Sequence, residues 1–173
     1  LIQMKYQKAE IYTDGAAKSN PVGPGGYAAI VKLYNDDDSI LSVEEFAGGH
    51  PKTSNNRMEL MGVIVGLEAL EHPSEVNVVS DSSYVVNAFR QKWVDKWLSN
   101  GWKTAGGHAV KNQDLWERLL EAKSHHKVTF SWVKGHAGQA ENERCDFLAS
   151  TMCDPFNNLV KAGNLYVEKT EKE

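Results

Sequence analysis

The sequence predicts one α/β domain: a mixed five-stranded sheet, its first three strands antiparallel, with helices on both faces. Two observations lead there. Alternating apolar runs come first along the chain, and helical apolar stripes interleave with two further strand-like runs only afterwards. That order of strands, helix, strand, helices, strand and helix suits a sheet that starts as antiparallel neighbours and continues through crossovers.

Lys8 to Thr13 alternates as a strand, and the glycine- and proline-rich stretch from Gly15 to Gly26 reads as a long turn. Tyr27 to Tyr34 and Ile40 to Ala47 read as two strands around the turn Asn35-Asp36-Asp37-Asp38. Ser54 is placed to cap a helix whose stripe is Leu60, Val63, Ile64, Leu67 and Leu70, and which must stop before Pro73. Val76 to Ser80 is a short buried strand and Ser82 to Phe89 a short helix. Lys92 to Ser99 looks helical, with Trp93 expected in the core and Trp97 one turn on. Asn112 to Ser124 is an amphipathic helix with Leu115, Leu119 and Leu120 inward. Lys127 to Trp132 alternates as the last strand, Lys134-Gly135-His136-Ala137-Gly138 is a glycine loop, and Glu141 to Met152 is the last core helix, ended by Pro155.

At 173 residues and 41% hydrophobic, the chain has material for one domain with a substantial core. No stretch approaches the roughly 20 consecutive apolar residues of a membrane-spanning helix, and the start lacks a signal-peptide layout. The expectation is a cytoplasmic monomer with no membrane partner. Residues 1–7 read as an N-terminal extension, in which Leu1 to Gln3 precede a natural-looking start at Met4; 8–153 read as the folded domain and 154–173 as a C-terminal extension. In that extension Phe156, Leu159, Leu165, Tyr166 and Val167 are candidates to dock on the core, whereas 168–173 is expected to be disordered. Cys145 and Cys153 show no CxxC or zinc spacing, which argues for a reduced compartment and against structural zinc.

A formal charge of −4 argues at first sight against a nucleic-acid partner. Distribution matters more than the sum. Between Arg90 and Lys111 the cations Arg90, Lys92, Lys96, Lys103 and Lys111 face only Asp95. There Trp93, Trp97 and Trp102 alternate with Lys92, Lys96 and Lys103, a basic aromatic ridge able to follow a nucleic-acid backbone.

Chemistry is concentrated in four acids. Asp14 and Asp81 each follow a strand, where open α/β sheets place their sites. If Glu59 and Asp146 reach the same spot from helices, the cluster cannot stay ionised without bound cations. Ser54-Asn55-Asn56, at a helix start, adds hydroxyl, amide and free backbone N–H donors.

Thr13-Asp14-Gly15, Asn20-Pro21 with Gly25-Gly26-Tyr27, Asn55-Asn56-Arg57-Met58-Glu59-Leu60, Ser80-Asp81-Ser82, Trp132 to Gly138, and Asn142-Glu143-Arg144-Cys145-Asp146 occur in order. Together they closely resemble the type 1 ribonuclease H family across about residues 8 to 152. The resemblance implies the ribonuclease H-like fold and endonucleolytic hydrolysis of the RNA strand of an RNA/DNA hybrid, leaving 5′-phosphate and 3′-hydroxyl ends. It implies that Asp14, Glu59, Asp81 and Asp146 hold two Mg²⁺ ions, with Mn²⁺ a possible substitute. It gives His136 a role in proton transfer or product release rather than metal binding. Asn20, Asn55 and Asn56 fall at positions that meet the hybrid's minor groove, and Lys52, Ser54 and Asn112 at positions that grip a DNA-strand phosphate. Trp97 and Lys96, with Trp102 and Lys103, belong to a basic protrusion seen in free-standing enzymes.

The sequence also departs from the family. Relatives often carry Arg and Thr where Lys52 and Ser54 stand, Val22 is an apparent extra residue, and Ser83 replaces a frequent Gln. Gly106-Gly107-His108-Ala109 replaces lysines of some relatives, so binding should be more salt-sensitive. No hybrid-binding module precedes the core, so processive cleavage is not expected. A catalytically silent hybrid-binding module would lack one of the acids, and an integrase or junction resolvase of the same fold would lack the Asn55 to Glu59 motif and the ridge.

Overall fold

The computed structural model describes residues 5–18 and 22–153. Five strands, β1 (Gln7–Ala17), β2 (Gly23–Tyr34), β3 (Ile40–Thr53), β4 (Ser74–Ser80) and β5 (Lys127–Trp132), form one sheet in the order β3-β2-β1-β4-β5. β1 pairs antiparallel with β2 and parallel with β4, and β5 continues the parallel half. The helices are α1 (Asn55–Glu68), α2 (Ser83–Arg90), α3 (Trp93–Asn100), α4 (Gln113–Lys123) and α5 (Ala140–Met152). This is the mixed sheet that the sequence predicts.

The core divides into two clusters. Ala9, Ile11, Ala29 and Val31 meet the α1 side chains Leu60, Val63, Ile64 and Leu67 in the larger one. Ala28, Ile30 and Ala47 meet Cys145, Leu148, Ala149 and Met152 of α5 in the smaller one. Neighbouring residues of β2 thus feed different clusters, as the period of two demands. α1 is buried from Met58 through Leu67 because it is packed against β1 and β2 and against α4. Its N-cap is Ser54, whose Oγ accepts from the Arg57 N–H at 3.3 Å.

Three sequence expectations change. The stretch from Gly15 to Gly26 is mostly strand: Gly15, Ala16 and Ala17 pair with Tyr27, Gly26 and Gly25. Its glycines answer close approach rather than turning. A side chain at Gly15 would collide with the Met58 and Glu59 backbone, so β1 can touch the first turn of α1 only through glycine. β3 runs on past Ala47 to Thr53 and passes through Pro51, tolerated because β3 is an edge strand. Trp93, expected in the core, is 37% exposed, and Val94 is the residue of α3 that is buried.

The buried aromatic of this region is Trp116 on α4, which lies fully inside. Tyr84 stacks on it at 5.5 Å, while Phe89 and Trp97 meet it edge-on at 5.8 Å and 5.3 Å. Its Nε1 donates to the Tyr84 hydroxyl at 3.0 Å, which satisfies the one polar atom of the ring. Leu115 and Leu119 are buried as expected, and Leu120 is half-buried against the same cluster.

Candidate active site

β1 and β4 run parallel with Thr13 beside Ser80, so Asp14, still inside β1, and Asp81, just beyond β4, arrive side by side where the parallel ladder stops. Glu59 comes in from α1, held close by the contact at Gly15. One carboxylate oxygen from each of Asp14, Glu59 and Asp81 lies within 4.8 Å of the others. The Gly15 N–H donates to both Glu59 Oε1 at 2.5 Å and Asp14 Oδ1 at 2.8 Å, fixing the two carboxylates relative to the strand. Asp146 on α5 is half-buried and outside this tight trio, near enough for its charge to act on Asp14.

Such a cluster resists ionisation. Burial pushes the Asp14 carboxyl up from 3.8 to about 6, reinforced by the charges of Asp81 and Asp146, while its hydrogen bonds with Glu59 and the Gly15 N–H pull the other way. Glu59 is held well above its ordinary range, first by burial, then by its hydrogen bond with Asp14 and the charges of Asp14 and Asp81. Without a cation the pair keeps a proton between its members. The donor set is all oxygen, the chemistry that a hard divalent cation such as Mg²⁺ prefers, so these residues fit that ion.

His136 sits in the loop between β5 and α5, exposed, with a left-handed φ of 56°. Gly135 lies against Asp81: a Cβ there would come within 2.8 Å of Asp81 Oδ2. The histidine loop therefore passes directly over one of the acids.

Beside the acids, Lys52, Ser54 and Asn112 line one cavity of about 640 Å³ with His50, Arg57, Asp114 and others. Asn112 has a left-handed φ of 64°, and its side chain is held at both ends. Its Oδ1 accepts from Arg57 Nη1 at 3.3 Å and its Nδ2 donates to the Tyr84 hydroxyl at 3.2 Å. Arg57 in turn forks onto Asp114 at 2.9 Å and 2.8 Å. Asn55 uses its Oδ1 to accept from the Ala17 N–H at 2.5 Å, tying the end of β1 to the start of α1. Asn56 is exposed, and Asn20 lies outside the described residues.

On the ridge, Lys96 and Lys103 are exposed, but Trp97 is half-buried between Trp116 and Trp102, stacking on Trp102 at 5.9 Å. Trp93 offers the more open ring. Sequence reasoning gave no role to Arg57, Tyr84 or Trp132. Arg57 and Trp132 stood inside quoted motifs, Trp132 also closing the alternating run of β5, and Asp114, the partner of Arg57, lies at the start of the α4 pattern; Tyr84 gave no signal of its own.

An RNase H family profile matches residues 6–154. The Ribonuclease H of Lachnoclostridium phytofermentans is 56% identical over 150 residues, 87% of this chain and 94% of that protein. The Ribonuclease HI of Synechocystis sp. is 48% identical over 153 residues, 88% of this chain and 92% of that protein. Among solved structures, LC9-RNase H1, described as a type 1 RNase H with the type 2 active-site motif, matches with a TM-score of 0.77 at 27% identity, covering 96% of this chain and 89% of that one. Sequence and fold agree, and the chain belongs to the RNase H family of type 1 enzymes.

Proposed function

We propose that the protein hydrolyses the RNA strand of RNA/DNA hybrids, with Asp14, Glu59, Asp81 and Asp146 as the residues that hold Mg²⁺. The observation that carries this reading is the trio of acids brought within 4.8 Å where β1, α1 and the end of β4 meet, two of them buried and resisting ionisation unless a cation joins them. Two ions bound there would supply a polarised water and a stabilised leaving 3′ oxygen, giving 5′-phosphate and 3′-hydroxyl products.

The chain's own residues do the rest. The Gly15 N–H orients Asp14 and Glu59, and burial keeps bulk water from competing for their oxygens. His136 moves a proton at the leaving oxygen or helps release product, from a loop that passes over Asp81. The Lys52, Ser54 and Asn112 cavity takes a phosphate of the DNA strand, Asn20, Asn55 and Asn56 read the minor groove, and the 2′-hydroxyl tells RNA from DNA. Lys96 and Lys103 meet the backbone further along, with Trp97 and Trp102 as their support and Trp93 as the exposed ring.

A labelled hybrid incubated with Mg²⁺ should be cut in its RNA strand, whereas DNA duplex, RNA duplex and single-stranded RNA should stay whole and chelator should stop the reaction. Asp81→Asn should lower the rate at least about 100-fold, the loss attached to even an outer partner of a metal ligand, with hybrid binding nearly unchanged. Efficient cutting of DNA duplex, or turnover retained by Asp81→Asn, would overturn the reading.

A further inference from the structure

We infer that Trp132 is a positioning residue for Asp81, an inference that rests on Asp81 serving as a metal-holding acid. Asp81 lies beyond the last residue of β4, where the ladder no longer fixes the backbone. Ser80 and Trp132 are register partners at the ends of β4 and β5, and the Val133 N–H donates to the Ser80 carbonyl at 3.0 Å as the final backbone tie. Downstream, the Ser82 N–H donates to Ser80 Oγ at 3.0 Å and Ser82 Oγ caps α2. The Asp81 carbonyl is taken by the indole of Trp132, whose Nε1 donates to it at 3.0 Å.

The burial of Trp132 does not explain the residue. Its ring is 49% exposed at the end of an edge strand, so it adds little to the core that a smaller side chain would not. An indole brings a rigid arm with one donor at its tip, and here that donor reaches the peptide carrying the carboxylate. Three residues on, Gly135 abuts the carboxylate itself, where a Cβ would sit 2.8 Å from Oδ2. The segment from Trp132 to Gly135 therefore brackets Asp81 at its carbonyl and at its carboxylate. It also hangs the His136 loop on the acid, so the position of one follows the other.

The test is Mg²⁺ binding to the free protein, measured by calorimetry with no nucleic acid present. Trp132→Phe keeps the ring and removes the donor; its Mg²⁺ dissociation constant should rise about 10-fold, as for loss of other partners that orient a metal ligand. Thermal unfolding in chelator should be nearly unchanged, the KM for hybrid should stay level, and extra Mg²⁺ should restore turnover. Mg²⁺ binding by Trp132→Phe at unaltered strength would overturn the inference. So would a raised KM with intact Mg²⁺ binding, because the ring would then contact substrate. On the unaltered chain, the Trp132 indole N–H, assigned by its loss in Trp132→Phe, should resist exchange with solvent as that of buried Trp116 does and should shift on adding Mg²⁺; a Trp132 N–H that exchanges freely or ignores Mg²⁺ would also overturn it. Should the unaltered protein cut no hybrid while Trp132→Phe still loses Mg²⁺ affinity, the nuclease reading fails and the positioning role stands.

Discussion

Glu59 reaches the sheet from just past the first turn of α1 and is buried there beside Asp14, with the Asp81 charge close by. Both carboxyls of this pair have folded-state values raised above those of the unfolded chain. Their contribution is therefore most favourable at low pH and is lost as pH rises through the folded values. In chelator, thermal stability should fall as pH rises from about 4 through the Asp14 value of about 6 and onward as Glu59 ionises, and saturating Mg²⁺ should remove most of that fall. Glu59→Gln should stabilise the cation-free protein on the alkaline side of this fall, where the buried glutamate would otherwise have to ionise, and urea unfolding in chelator checks it. A flat profile in chelator would mean that the acids are not strained together. His126 works in the opposite direction. Its Nδ1 accepts from the Ser74 N–H at 3.0 Å, which a proton on that nitrogen would forbid, and burial, aided by His125, holds its value below 6.5. Its contribution is present above the unfolded value and is lost as pH falls through the folded one. With Mg²⁺ present to quiet the acids, urea unfolding of the protein should weaken by up to about 1 kcal/mol toward pH 5, the worth of one ordinary hydrogen bond. His126→Ala should lose that dependence.

Among the elements, α3 shows how a helical pattern can be read one turn out of place. Trp93 and Trp97 sit four positions apart, so either ring could face inward, and local spacing is blind to which one α4 supplies with a partner. Trp116 decides it: Tyr84, Phe89 and Trp97 close around its ring, and Trp93 turns toward solvent. Trp116→Ala should cost about 3–5 kcal/mol in urea unfolding, the usual range for removing a buried large aromatic. Trp93→Ala should change stability by less than about 1 kcal/mol and weaken hybrid binding, because an exposed ring adds little packing and lies among the ridge lysines that meet the backbone. Lys96→Ala with Lys103→Ala should flatten the slope of log affinity against log salt by about two phosphate contacts. An unchanged slope would put the binding surface elsewhere. The glycines of β1 and β2 teach the same lesson. Composition marks them as a turn, whereas Gly15 and Gly26 are strand residues kept bare by the backbones of α1 and α5. Contact between elements distant in sequence leaves no local trace that separates it from turning.

For the whole molecule, the five strands, the antiparallel pairing of the first three and the place of Asp81 just after a strand were legible from the order and alternation of the runs, which are local properties. Ser54 as a helix cap was legible for the same reason. Asp14, read as closing its strand, instead lies inside β1 opposite Ala28, because pairing with β2 carries β1 on to Ala17. Legible only through the family's motifs was the arrival of Glu59 beside the two aspartates, since nothing in the spacing of α1 says that Gly15 lets the helix approach. Trp132 was visible by both routes, as a strand's last residue and a motif's first, but its role was not: its donor acts on a backbone carbonyl 51 positions away, and a carbonyl belongs to every residue. The electrostatic layout follows the same division. Cations gather on the stretch from Arg90 to Lys111, where Asp95 is the lone acid, while the other acids lie elsewhere along the chain, so an acidic chain still carries a locally basic stretch.

The four acids come from segments as far apart as β1 and α5, and α5 reaches the sheet mainly through the smaller cluster around Ala28, Ile30 and Ala47. A chain stalled before this last helix docks would already carry Asp14, Glu59 and Asp81 in place, yet would lack Asp146 and leave the His136 loop unanchored at its far end. During refolding, RNA cleavage should therefore not return before α5 is docked, so that enzymatic turnover reports on the seating of that one helix.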